Sequence, residues 1–278
     1  MLEREKVRTM AIPYSAKEAQ DKLQVDRNKF YRLVKSNAII SIAQPGGHQR
    51  KYDRASVDAL AAEMARFRES LNDVEEGEDR KQLTFRQATP DDMPGVYEVA
   101  HELFGHTTPV EQRRPMVAAC PQGNYIVLRG NEVVAYIHIL PLYPEILEAF
   151  MKGKIRGWDI VASNLDCFAP GKTVECLVRS IGATRRYGDD EQHRFALRLL
   201  SGTVREMISM GKVGVTISKL YATSSRGQGQ QLCYSADMEF YSKPLGDRLT
   251  FVVDVLTSDN PSFTRYREYL TQYKKAHA

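Results

Sequence analysis

The sequence predicts a two-domain α/β (α+β) chain: a small basic helical domain with a β-hairpin, an acidic linker, and a larger domain with a mixed sheet. Three observations predict it. First, 278 residues are long for one ordinary domain, and 42% hydrophobic with 27% charged residues is an ordinary globular composition. Second, residues 1–70 hold 14 Lys and Arg against 9 Asp and Glu, a net of +5, whereas the remainder holds 25 against 26, a net of −1. Third, the apolar spacing changes along the chain, from helical repeats to strand runs interleaved with helices. The expected boundaries are 1–68 for the first domain, 69–82 for the linker and 83–278 for the second domain.

Residues 1–12 read as an arm. Ser15 followed by Glu18 has capping-box spacing and predicts a helix from Ala16 to Leu23. Gln24-Val25-Asp26 reads as a turn, and Asp26 can cap a second helix from Arg27 to Ser36 whose Phe30, Leu33 and Val34 share a face. Ile39 to Ile42 reads as a strand, Pro45-Gly46-Gly47 as a turn and His48 to Tyr52 as the returning strand. Asp53 or Arg54 opens a third helix, with Val57, Leu60, Ala61, Met64 and Phe67 at the helical period. Residues 69–80 hold six acids and one base and offer little to bury, so they read as a solvated linker that can begin by continuing that helix.

Between Asp26 and Asp53 there are six Lys and Arg and no acid. Such a segment suits an anionic partner. Arg reads guanine and Asn reads adenine bidentately in a major groove. Arg27, Asn28, Lys29, Tyr31, Arg32 and Lys35 on the second helix are therefore candidate groove residues. His48, Gln49, Arg50 and Lys51 on the hairpin are candidates for backbone phosphates. The stretch SAKEAQDKLQVDRNKFYRLVKS, with the later IAQPGGHQRKYDRASVDAL, resembles the MerR and excisionase-type winged helix-turn-helix families from about Ser15 to Phe67. The resemblance implies double-stranded DNA as partner and binding as a homodimer. A basic helical domain that meets another protein is the other reading of the same residues.

In the second domain, Leu83 to Ala88 alternates as a strand, and Thr89-Pro90-Asp91-Asp92 starts a helix with Met93, Val96, Val99, Ala100 and Phe104 as apolar residues. Tyr125 to Leu128, a Gly130-Asn131 turn and Val133 to Leu140 form a hairpin. Thr173 to Ile181 is an apolar strand, Phe195 to Met210 an amphipathic helix, and Val213 to Tyr221 and Leu249 to Leu256 are further strands. Phe263 to Lys275 closes the chain as a helix. This mixture predicts an α/β sheet domain.

Four segments carry a second resemblance: FRQATPDDMPGVYEVA, NYIVLRGNEVVAYIHILPL, VECLVRSIGATRR with FALRLLSGTVREM, and LCYSADMEFYSK. Together they make residues 83–255 similar to the GNAT acetyltransferase superfamily. That similarity implies acetyl-CoA, with its pyrophosphate on backbone N–H groups where the fourth strand turns into a helix. Two alignments of the pyrophosphate segment are open, Glu191 to Ala196 and Arg185 to Asp190. The implied cofactor residues are Val178, Ile181, Arg185, Arg186, Gly188, His193, Arg194 and Ala196. Asp189, Asp190 and Glu191 set negative charge in the same place. Glu175 is the implied base and Tyr234, beside Cys233, the implied acid. A solvent-facing Glu175 and a packed Tyr234 are the alternatives.

Other features limit the function classes. No apolar run reaches the roughly 20 residues of a membrane span, and the N-terminus lacks a signal-like apolar core, so a cytoplasmic, nucleoid-associated location is expected. Cys120, Cys167, Cys176 and Cys233 form no C-x-x-C pair and read as reduced, packed thiols. His101 and His106 have the wrong spacing for a shared helical face, and no metal is expected. Trp158, Tyr136, Tyr143 and Phe150 are candidates for lining a cavity, or for plain packing. The expected function is a DNA-binding transcriptional regulator whose GNAT-like domain senses an acyl-CoA or small-molecule effector or dimerises. The alternatives are an N-acetyltransferase tethered to DNA and an architectural or recombination accessory protein.

Overall fold

Ser15 caps the first helix as its spacing requires: its hydroxyl accepts from Glu18 N, and the Glu18 carboxylate accepts from Ser15 N at 2.7 Å. The computed structural model describes residues 12–35, 37–43, 50–72, 83–225, 227–245 and 248–277. The chain divides into two units, Met1–Arg66 and Phe67–Ala278.

In the first unit, α1 (Ala16–Leu23) ends at Gln24, whose left-handed φ of 55° turns the chain. Asp26 then caps α2 (Arg27–Lys35) by accepting from Lys29 N at 2.9 Å. Two short strands, β1 (Ser41–Ile42) and β2 (Lys51–Tyr52), pair antiparallel. Asp53 opens α3 (Arg54–Asn72), accepting from Ser56 N at 2.7 Å. Leu23, Phe30, Leu33, Ile39, Tyr52, Val57, Leu60 and Met64 form the core, where Phe30 meets Tyr52 edge-on at 4.8 Å. The described pairing covers only Ser41 and Ile42 against Tyr52 and Lys51; before it, Ile39 is buried in the core and Ile40 is exposed. Helix α3 continues past Phe67 to Asn72, so the first residues assigned to the linker are helical. The arm before Ile12, Ser36, the Pro45-Gly46-Gly47 turn, His48 and Gln49 lie outside the described residues.

The second unit is a seven-stranded mixed sheet flanked by helices. Its strands are β3 (Leu83–Gln87), β4 (Asn124–Arg129), β5 (Glu132–Pro141), β6 (Thr173–Ala183), β7 (Thr216–Ser224), β8 (Glu239–Leu245) and β9 (Arg248–Asp254). They lie in the order β3-β4-β5-β6-β7-β9-β8. Every neighbour pair is antiparallel except β6 and β7. A parallel pair needs a crossover, which α7 (Asp189–Lys212) supplies.

Consecutive strand residues point to opposite faces, and this sets the layers. Tyr125 stacks on Phe85 at 5.4 Å, and Phe85 lies against Gly202 of α7. The next residue, Ile126, joins Met93, Val96, Val99 and Ala100 of α4 (Met93–Phe104) in the opposite core. Helix α9 (Pro261–Ala276) packs on α7 where Tyr266 crosses Gly211. Tyr266 Oη accepts from Ile217 N at 2.6 Å and donates to Val215 O at 2.7 Å.

Three helices were not expected: α5 (Val110–Ala119), which holds Pro115, α6 (Pro144–Met151) and α8 (Gly227–Ser235). Helix α6 opens the long connection between β5 and β6, whose Leu147, Phe150, Met151, Ile160 and Leu165 pack with Met116, Leu140 and Leu177. Helix α7 begins two turns before the expected Phe195. Gly188 enters it at φ 87°, and Asp189, Asp190 and Glu191 occupy its first turn, where negative charge favours the helix dipole. Cys120, Cys176 and Cys233 are buried free thiols, whereas Cys167 is exposed rather than packed.

Candidate functional site

The sheet opens between β6 and β7. From Thr173↔Thr216 to Val178↔Ala222, β6 and β7 run paired; beyond Val178, β6 continues paired to β5 alone. Past Ala222, β7 is held by β9 through Thr223↔Thr250 and Ser224↔Leu249. The cause is one extra residue. The β5–β6 register shifts between His138 and Ile139, so Arg179 is a bulge between Val178 and Ser180. Bulges bend a strand and raise its twist, and here the strand swings away from its parallel neighbour. Val178 is the last paired residue, and Ile181 lies on the diverging arm.

That arm leads through Thr184-Arg185-Arg186-Tyr187 to Gly188 and α7. The N–H groups of Asp189, Asp190 and Glu191 precede the first intrahelical bond, from Gln192 N to Gly188 O at 3.0 Å. A Cβ on Gly188 would meet nothing within 4 Å, so its backbone faces open space. Of the two alignments, Arg185 to Asp190 spans this junction. Glu191 to Ala196 lies inside the helix, with most of its N–H groups already engaged, so His193, Arg194 and Ala196 present side chains only.

Charge at the junction is mixed. Glu102 accepts from Thr184 Oγ1 at 2.5 Å and from Arg185 N at 2.6 Å. Arg186 pairs with Glu102 at 3.4 Å and Glu132 at 2.9 Å. Arg194 pairs with Glu191, which Arg129 approaches at 3.9 Å. Asp189, Asp190 and Arg185 are exposed. The backbone thus fits a pyrophosphate, and the side chains fit it in part: Arg129 and Arg194 offset Glu191, and the exposed Arg185 is set against Asp189 and Asp190.

Glu175 sits on β6 before the opening. Its Oε1 lies 3.1 Å from Lys219 Nζ, and its Oε2 accepts from Tyr221 Oη at 3.0 Å. Burial and the Glu175 charge both raise the Tyr221 phenol above its ordinary pKa. Tyr234 lies in α8, buried, with its ring edge-on to Phe251 at 5.3 Å. Sequence reasoning missed Tyr221 and Lys219 because their link to Glu175 is the parallel register Glu175↔Lys219, Leu177↔Tyr221, which leaves no local trace.

The implied DNA-contacting residues of the first unit share one side of α2. At 100° per residue, Arg27, Asn28, Tyr31, Arg32 and Lys35 span an arc opposite the buried Phe30 and Leu33, and all five are exposed. Lys29 is half-buried beside that arc. Arg50 is exposed and Lys51 half-buried on the hairpin.

The remaining candidates do not converge. His101 stacks on Tyr97 at 5.7 Å and His106 meets Trp158 at 5.7 Å. No group of three potential metal ligands occurs among the described residues. Tyr136 and Phe150 belong to separate cores, while Tyr143 and Trp158 are exposed. No described helix is long and apolar enough to cross a membrane.

No family model matches the chain, and no curated protein does. Among solved structures, the loading GNATL domain of CurA from Lyngbya majuscula is similar over 62% of this chain and 97% of that one, at 11% identity and a TM-score of 0.46. The ribosomal-protein-S18-alanine N-acetyltransferase from Escherichia coli is similar over 64% and 97%, at 11% identity and a TM-score of 0.39. Naa50 from Arabidopsis thaliana, in complex with the bisubstrate analogue CoA-Ac-MVNAL, is similar over 62% and 96%, at 9% identity and a TM-score of 0.38.

Proposed function

We propose that the second unit is an acetyl-CoA-dependent N-acetyltransferase and that the first unit carries it to double-stranded DNA. The observation that supports this best is the parting of β6 from β7 after Val178, on an arm that ends at the unengaged N–H groups of α7. Such a crevice beside a helix N-terminus suits an elongated anionic ligand. Acetyl-CoA supplies an activated acyl group when bound. The N–H groups after Gly188 and the Arg185 guanidinium hold its pyrophosphate, and Val178 and Ile181 line its path. Glu175 takes the proton from the acceptor amine. Lys219 and Tyr221, whose phenol stays protonated at neutral pH, orient that carboxylate.

A second reading drops both acetyl-CoA and the chemistry: the second unit senses another small-molecule effector for a transcriptional regulator. The exposed carboxylates of Asp189 and Asp190, set where phosphates approach, favour it. The two readings separate in one assay. The full chain is mixed with acetyl-CoA and a panel of amines, and free thiol is followed. The transferase reading expects amine-dependent thiol release that Glu175→Gln lowers by about 100-fold or more. Release equal to the uncatalysed rate for every amine rejects it in favour of the sensor.

A further inference from the structure

Two arginines are packed at the bulge with no carboxylate paired to either among the described residues. Arg113 of α5 is only 2% exposed. Its Nε donates to Thr108 O at 2.8 Å, its Nη2 to Thr107 Oγ1 at 2.6 Å, and its Nη1 lies 3.2 Å from His138 Nε2. Arg179 donates from Nε to Gly157 O at 3.0 Å and from Nη2 to Thr108 Oγ1. Because both side chains bond Thr108, the guanidiniums are neighbours, and each acceptor they use is neutral. Burying a charge without a counter-charge is unfavourable. In keeping with this, burial and the neighbouring Arg113 push the Arg179 pKa down to about 10.

Two further arginines are connected to this place, Arg248 directly and Arg156, whose guanidinium lies over the Trp158 ring at 5.9 Å, through its charge. Arg248, the first residue of β9, donates to Thr223 Oγ1 at 3.0 Å, and its guanidinium lies over the Phe150 ring at 4.7 Å. Arg156 acts on it electrostatically and precedes Gly157, the acceptor for Arg179. No ion pair to Arg113, Arg156, Arg179 or Arg248 occurs among the described residues. Asp159, the acid nearest Arg156 in sequence, is exposed and accepts from Arg156 N.

The position is specific. Val178↔Ala222 is the last β6–β7 pair. The next residue on β6 is Arg179, and the next on β7 is Thr223, which holds Arg248. Each side of the apex of the opening therefore carries a guanidinium, on the α5 and α6 side of the sheet, with Glu175 on the paired segment just before it. We propose that this apex binds a carboxylate, held between Arg179 and Arg248 with Arg113 and Arg156 behind them. The identification of that carboxylate as part of the acceptor amine rests on the transferase reading. Guanidinium forks match a carboxylate bidentately. The helix N-terminus that a phosphate would favour is at Gly188 instead.

The probe is succinate, titrated into the full chain at constant ionic strength and read by the thermal midpoint. Succinamide is the neutral isostere and inorganic phosphate the second anion. Succinate is expected to raise the midpoint saturably, succinamide not at all, and phosphate less than succinate. Arg179→Gln and Arg248→Gln are each expected to weaken succinate by about tenfold or more, and Arg265→Gln, exposed on α9, to leave it unchanged. If a Gln variant fails to fold, Arg179→Lys or Arg248→Lys keeps the charge, loses the fork and is expected to weaken binding too. A free-terminus peptide that binds better than succinate assigns a peptide acceptor, and the reverse assigns a small acid. A response that never saturates, that survives both variants, or that phosphate exceeds overturns the proposal. Succinate binding without acetyl-CoA binding removes the transferase reading and leaves this site standing; acetyl-CoA binding without a succinate response does the reverse.

Discussion

Arg113 can donate hydrogen bonds and cannot accept them, and this fixes the state of His138. Nε2 of His138 faces Arg113 Nη1 and must accept. The proton therefore sits on Nδ1, which donates to Asn124 Oδ1, and Asn124 in turn donates to Cys120 O. Burial first, then the charges of Arg113 and Arg179, hold the His138 pKa well below 6.5. The folded ring stays neutral where the unfolded ring takes a proton, so folding stability is complete above pH 6.5 and is lost as pH falls below it. The predicted slope is up to about 1.4 kcal/mol per pH unit below that point. Denaturant unfolding between pH 7.5 and 5 is predicted to show a steeper loss in wild type than in His138→Gln. Equal slopes would mean that His138 is accessible and titrates normally.

At the scale of elements, the docking of α7 depends on a missing side chain. A Cβ on Gly202 would overlap the Phe85 ring, which is itself held by stacking on Tyr125. Alanine gains up to about 1 kcal/mol of helix propensity over glycine, but overpacking a core costs about 1–3 kcal/mol. Gly202→Ala is therefore predicted to destabilise the chain by about 1–2 kcal/mol in a urea titration, and a gain in stability would show that α7 rides clear of β3. The elements that the sequence revealed are those with strong local signals. Ser15/Glu18, Asp26 and Asp53 mark helix starts by side-chain caps, and Gly130-Asn131 marks the hairpin. Helix α5 was hidden by Pro115, and α8 by its glycines and glutamines. The early start of α7 was hidden because acids in a first turn also read as a polar loop. Arg179 did leave a trace, a lone arginine in the apolar run VECLVRS. Its meaning came only with the bulge, a property of the pairing with β5 that no single segment carries.

At the scale of the whole molecule, the asymmetry of charge and the asymmetry of fold coincide. The basic residues of α2 and the hairpin sit on the first unit, and the opened sheet sits on the second. The exposed cations of α2 predict duplex binding with a strong salt response. Each phosphate neutralised contributes a slope of about −0.9 in log K against log salt. Paired Arg32→Ala and Lys35→Ala changes are predicted to flatten that slope by about two units, measured by anisotropy of a labelled duplex with the full chain. An unchanged slope would move the contact off α2. The division between basic and neutral halves was legible from composition alone. The β6–β7 opening was legible only as a resemblance, since a strand's divergence depends on partners far away in sequence.

The transferase assignment depends most on whether the crevice ending at α7 accepts acetyl-CoA despite Asp189 and Asp190. Isothermal titration of acetyl-CoA into the full chain measures this directly. Saturable one-to-one binding is predicted, weakened by Gly188→Val, because valine does not tolerate the positive φ there, and by Arg185→Gln. No heat of binding at millimolar acetyl-CoA would contradict it.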